Sequence, residues 1–406
     1  MYELLTGMRV VEAAAFIAGP SCGLHLAQMG AEVIRIDQIG GGPDYRRWPL
    51  APGDGASLYW EGLNKAKKSV ALDLSRPEGR ELAARIATAP GDDAGLFVTN
   101  FPVEGFLSYE RLRARRADLI CVRVMGWPDG RPAVDYTVNS AVGVPMMTGP
   151  ADGAAPVNHV LPAWDLLAGA YAAFALVSAE RARRATGQGR EVRIPLSDLA
   201  IASLGHLGQI GEVTTGGRDR GRTGNDLYGA FGRDFVTADG RRLMVVAITP
   251  RQWTGLVGAL GLEGQIGALE AELGAGFAHD EGARFVHRTR LNPLFEAAFA
   301  VRGAEDLTAV FATKGVTWGP YQGLKQAVES DPYFNAANPL LSDIDHPSGH
   351  RYLTPGAAAT LPGETRRTAV AAPALGRDTD EVLSDILGLS ATEIARLHDD
   401  GLVAGA

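Results

Sequence analysis

The sequence predicts an α/β fold: a parallel sheet with helices on both faces, followed by a smaller α+β domain. Three observations lead there. Strand-like and helix-like runs alternate over roughly the first 200 residues. A glycine- and arginine-rich stretch, Thr214 to Asn225, breaks the alternation. Beyond it, Asp239-Gly240 separates two strand-like runs as a hairpin turn would. The chain has 406 residues, 46% hydrophobic and 21% charged, which fits a globular protein of more than one domain and disfavours disorder.

The elements follow in order. Met8 to Glu12 reads as a strand, Gly19-Pro20 as a turn, Ser21 to Met29 as a helix and Glu32 to Asp37 as a second strand. Further strands are expected at Ser69–Leu72, Gly95–Thr99, Leu119–Val124 and Glu191–Ile194. Ser75-Arg76-Pro77-Glu78 has capping-box spacing with a proline in the first turn. Past the break, Asp234–Thr237 and Arg242–Ile248 read as the hairpin strands, and helices follow to about Glu329. Asn335 to Gly376, rich in Pro and Gly, reads as extended. Two helices close the chain, the second opened by a capping box at Ser390 to Glu393.

Several functions are disfavoured. With 39 basic and 47 acidic residues the net charge is −8, a poor match to a nucleic-acid binder. Cys22 and Cys121 cannot build a disulfide framework, so a reducing, cytoplasmic compartment is expected. The N-terminus lacks signal-peptide order, and the longest apolar run, Leu166 to Val177, falls short of the ~20 residues of a membrane span. Asp37 ends the second strand where a ribose-binding acid would sit. The first turn, however, is Ala18-Gly19-Pro20-Ser21-Cys22-Gly23 and lacks the glycines that admit a pyrophosphate. No Walker A, HExxH or G-x-S-x-G pattern occurs, and the histidines show no metal-ligand spacing.

Two features carry chemistry. Only five of the basic residues are lysines, and three, Lys65, Lys67 and Lys68, cluster just before a strand, with Arg46 and Arg47 upstream. Such a loop suits a polyphosphorylated ligand or is simply solvated. The second feature is Asp165, near the start of an Ala-, Gly- and Leu-rich helix whose composition marks it as buried and whose last turn is cationic. Asp165 either caps that helix or faces a cleft as an ionised, oriented carboxylate able to act as a covalent nucleophile.

The ordered set of Gly7–Glu12, Ala18-Gly19-Pro20, Leu26–Asp37, Asn64–Leu74, Thr99-Asn100-Phe101, Asp135-Tyr136, Asp165 with its helix, Gly187–Arg193, Asn225–Phe231, Gly319-Pro320 and Thr379–Leu383 resembles the class III CoA-transferase family. The resemblance implies a Rossmann-like large domain (1–213), a linker (214–233), a small α+β domain (234–330) and a C-terminal segment (331–406) returning to the large domain. It implies two interlocked subunits as a homodimer. It makes Asp165 the nucleophile that forms an anhydride with the acyl group. It sets Lys65, Lys67, Lys68, Leu72, Asn100 and Phe101 along the CoA site. CoA is then part of the substrate, with no tightly bound cofactor, no metal, and no nucleic-acid or membrane partner.

Val134–Asn139, Val157–Asp165 and Leu227–Phe235 resemble the members of the family that shift CoA between the two carboxyl ends of one mesaconate. For the free carboxylate Tyr136, Asn139 and His159 are candidates, though each also suits a structural hydrogen bond. Racemase members carry a histidine before the acid matching Asp135, where Ala133-Val134 stand. Oxalate-using members carry a glutamine at Ile17, which here cannot hydrogen-bond. Transfer to a separate carboxylate acceptor and a silent CoA-binding protein are the alternatives.

Overall fold

The structure is a computed structural model describing residues 1–405. It divides into two compact units, one of residues 1–142, 159–216 and 331 onward, the other of residues 143–158 and 217–330. The return of the C-terminal segment to the first unit agrees with the expectation. The excursion of residues 143–158 into the second was not legible in the sequence.

The first unit opens with β1 (Arg9–Ala13), α1 (Ala18–Gln28), β2 (Glu32–Gln38), α2 (Leu58–Leu63), β3 (Lys68–Leu72) and α3 (Pro77–Ala87). It continues through β4 (Leu96–Thr99), α4 (Tyr109–Arg115), β5 (Ile120–Met125) and α5 (Asp135–Ala141). The single turn α6 (Val144–Met147) belongs to the second unit; the first resumes with α7 (Ala163–Thr186), β6 (Arg190–Pro195), α8 (Leu196–His206) and α9 (Gln209–Gly216). The strands lie in the order β3-β2-β1-β4-β5-β6, all parallel, with β1 near the centre. The inner strands are buried on both faces, so they read as apolar runs rather than alternating patterns. Two apolar clusters form, one holding Val10, Leu26, Val122 and Ala172, the other Val11, Ile34, Phe97 and Leu82.

The second unit pairs β7 (Phe231–Val236) antiparallel with β8 (Arg242–Ala247) and packs it under α10 (Pro250–Leu260), α11 (Glu263–Leu273), α12 (Glu281–Val286), α13 (Arg288–Ala300) and α14 (Ala304–Lys314). β9 (Thr317–Pro320) pairs with β8, and α15 (Leu324–Ser330) follows. Phe231, Phe235, Phe295 and Trp253 form its aromatic centre. The stretch expected as a linker over 214–233 holds the end of α9 and the start of β7.

Back in the first unit, the region expected to be extended forms a hairpin, β10 (Leu341–Asp345) against β11 (Arg351–Pro355). Then come α16 (Thr379–Leu387), α17 (Ala391–Asp399) with the expected capping box at Ser390, and β12 (Val403–Ala404). β12 adds an antiparallel edge to β3, and the Asp378 carboxylate accepts the Ser69 N–H. The capping box expected at Ser75 does not form: the Ser75 hydroxyl donates to Asp73, and Arg76 holds the N-cap position. A local side-chain turn has won the hydroxyl.

Candidate active site

The site is built where α7 crosses α1. Ala168, Gly169, Ala172, Leu176 and Ala179 form the buried stripe of α7. A Cβ on Gly169 would stand 1.8 Å from Ser21 Oγ and 2.9 Å from the Ala18 carbonyl, so this close crossing requires glycine. The composition predicted a buried helix. The structure buries one stripe and leaves Leu166, Leu167, Tyr171 and Phe174 exposed.

The first turn of α7 is not capped by its own residues. Pro162 occupies the N-cap without a side-chain bond, and the acceptor comes from α5. Asp135, 1% exposed, receives the backbone N–H groups of Trp164 (2.6 Å) and Asp165 (3.1 Å) on one carboxylate oxygen. Its other oxygen lies 2.5 Å from His159 Nε2. A remote carboxylate thus satisfies two orphan donors of the helix. Asp165 has no capping duty, and among the described residues its own carboxylate oxygens accept no hydrogen bond. Burial, reinforced by the nearby Asp135 charge and opposed by Arg47, pushes the Asp165 carboxyl up to about 6. It is mostly ionised at neutral pH and more basic than an ordinary aspartate.

Asp165 precedes Gly169 by four residues and shares its face of α7. Because Gly169 abuts Ala18, that face directs Asp165 toward the turn just before α1, Ala15-Phe16-Ile17. This turn is held firmly. Asn100 clamps Ala15 by accepting its N–H and donating to its carbonyl, and Asp44 accepts the Phe16 N–H. Phe16 is held at φ 69°, a left-handed conformation costly for an aromatic residue and sustained by these partners. Arg47 lies over both the Phe16 and Tyr59 rings, at 5.6 and 5.5 Å. Behind the turn, Arg35 binds Glu12, Asp37 and the same Asp44, all buried.

The other expected site residues fall in different places. Lys67 is buried with its ammonium on Glu12, the Pro20 carbonyl and Asn64, so a phosphate contact by its side chain is corrected to a core ion pair. Lys68 bridges Glu32 and Glu381, and Lys65 donates to the Pro355 carbonyl, where burial pushes it down to about 8. The cluster is therefore not an open basic loop: its partners are acids and carbonyls distant in sequence. Leu72 is fully buried in β3 and packs in the core, which removes its side chain from any groove. Asn100 shapes the turn facing Asp165, while Phe101 packs beside Phe106. Ile17 is the residue preceding α1 and partly exposed. Asn139 accepts from the Trp164 indole, and Tyr136 packs edge-on to His159. His159, Tyr136 and Asn139 thus gather around the start of α7, with His159 and Asn139 engaged by Asp135 and Trp164. Sequence reasoning missed Phe16, Tyr59 and the capping role of Asp135; the only local signal was Asp135 at a helix start.

A carboxylate freed from capping, raised in basicity and set against a hydrogen-bonded turn has the chemistry of a nucleophile. The profile of CoA-transferase family III matches residues 5–379, and the chain belongs to that family of enzymes. Among its relatives is the 2-methylfumaryl-CoA isomerase of Chloroflexus aurantiacus, 48% identical over 405 residues that cover 100% of this chain and 99% of that one. A succinyl-CoA–D-citramalate CoA-transferase of the same organism is 32% identical, with 97% and 96% coverage. A CAIB/BAIF family protein from Brucella suis shares the fold, with a TM-score of 0.76, 25% identity, and coverage of 95% of this chain and 100% of that chain.

Proposed function

We propose that this enzyme moves CoA between the C1 and C4 carboxyl groups of one 2-methylfumarate, isomerising 2-methylfumaryl-CoA, with Asp165 as the nucleophile. The uncapped, basic Asp165 carboxylate carries the reading, and the 48% identical isomerase supports the choice of substrate. The Asp165 carboxylate attacks the C1 thioester carbonyl; the C–S bond breaks, giving a mixed anhydride and CoA thiolate. The thiolate attacks the aspartyl carbonyl, and the anhydride C–O bond breaks to release bound 2-methylfumarate from an aspartyl thioester. The diacid presents C4; its carboxylate attacks the aspartyl carbonyl and expels the thiolate. The thiolate then takes the C4 acyl group and frees Asp165. No proton is consumed and each step exchanges one activated acyl for another. Water is the hazard, so a rigid wall beside Asp165 favours transfer over hydrolysis.

CoA enters as substrate, with no resident cofactor invoked. The exposed Leu166, Leu167, Tyr171 and Phe174 on α7 suit burial against a second copy, in line with a homodimer. Incubating pure 2-methylfumaryl-CoA with the enzyme, with no added acid, tests the reading. Conversion to 3-methylfumaryl-CoA is expected. Strict dependence on added succinate or citramalate assigns transfer between separate molecules instead.

A further inference from the structure

The established class leaves open what holds the carboxylate that is not bonded to sulfur. We propose that Arg47 binds this free carboxylate, in turn the C4 end and the C1 end, and so selects diacids over monoacids. The proposal rests on the diacid substrate above. Three observations carry it. First, Asp165 faces the Phe16 turn through the α1–α7 crossing at Gly169. Second, the Arg47 guanidinium lies against Phe16 of that turn and against Tyr59, so it is positioned by aromatic rings rather than by an acid. Third, among the described residues no carboxylate lies within ion-pair distance of Arg47, although Arg35 close by has three. Arg47 is exposed and keeps charged donors available for a carboxylate. Its charge also acts on the Asp165 carboxyl, which sets the two groups in one neighbourhood.

The substrate chemistry matches this pairing. The two carboxyl carbons of 2-methylfumarate are trans across one double bond, so one end reaches a nucleophile while the other reaches a cation beside it. When the diacid turns end for end, the same cation serves the opposite carboxylate. One guanidinium and one carboxylate thus suffice for both isomers. Ile17, in the same turn, offers no competing hydrogen bond.

The test compares two thioesters differing only at that carboxylate: 2-methylfumaryl-CoA and (E)-2-methylcrotonyl-CoA, in which a methyl group replaces it. Hydroxylamine trapping of the Asp165 adduct measures acyl transfer to the enzyme with either. R47Q is expected to lose about 100-fold in the adduct-forming kcat/KM with 2-methylfumaryl-CoA. R47K is expected to lose less, and at pH 8, where Asp165 stays ionised without the Arg47 charge, both variants should lose at least about tenfold less on the methyl analogue than on 2-methylfumaryl-CoA. The proposal is overturned if R47Q handles 2-methylfumaryl-CoA like wild type, or if it loses equally on both thioesters. Should wild type form the adduct yet release no 3-methylfumaryl-CoA, the intramolecular reading fails while the discrimination by Arg47 is still read from the adduct rates.

Discussion

Replacing Asp165 with asparagine is expected to stabilise the fold while abolishing turnover. The carboxyl titrates at about 6 in the folded chain against 3.8 for the free group. Between those values the folded state holds the proton more tightly than the unfolded chain. Stability therefore falls as pH rises from about 4 to about 6 and stays reduced above. The difference, 6 − 3.8 = 2.2 pH units, corresponds to about 3 kcal/mol at ~1.36 kcal/mol per unit. Partial exposure and the favourable helix dipole reduce this to about 1–2 kcal/mol. A dipole-stabilised capping aspartate behaves oppositely: asparagine still caps, but loss of the charge beside the helix N-terminus costs about 0.3–1 kcal/mol. The sign separates the two roles. Melting temperatures of wild type and Asp165→Asn, measured from pH 4.5 to 8, should diverge with pH, the variant melting higher at pH 8. A variant melting lower than wild type at pH 8 refutes the reasoning.

The kcat/KM of wild type should fall below pH about 6 as Asp165 gains its proton, and Asp135→Asn, by removing a nearby negative charge, should shift that limb to lower pH; a pH–rate series for both checks it. Gly169→Ala drives a Cβ into Ser21 and the Ala18 carbonyl; calorimetry should show a loss of about 1–3 kcal/mol, with at least tenfold lower kcat. Lys67→Met leaves Glu12 buried with Arg35 as its one cationic partner among the described residues; a loss of about 3 kcal/mol is expected in denaturant melts, with the KM of the folded fraction unchanged.

The sheet was readable because its inner strands are mostly apolar, with isolated charges such as Glu12, Arg35 and Arg123, and alternate with helices. Asp165 was readable as a candidate because it lies early in a long helix with a cationic end. Its role was not, because the competing cap, Asp135, comes from thirty residues upstream. The lysine cluster misled for the same reason: Glu12, Glu381 and Pro355 are brought to it only by folding. Local pattern also gives no hint of β12, two residues long and formed only against Leu72 and Ala71. Arg47 was visible as a basic residue, but the Phe16 and Tyr59 rings that position it are joined to it only in three dimensions.

The most direct measurement is peptide mass spectrometry of the enzyme quenched with hydroxylamine during turnover of 2-methylfumaryl-CoA. The account predicts a hydroxamate on Asp165 and on no other carboxylate. Full turnover with Asp165 unmodified, or with the label on another residue, contradicts it.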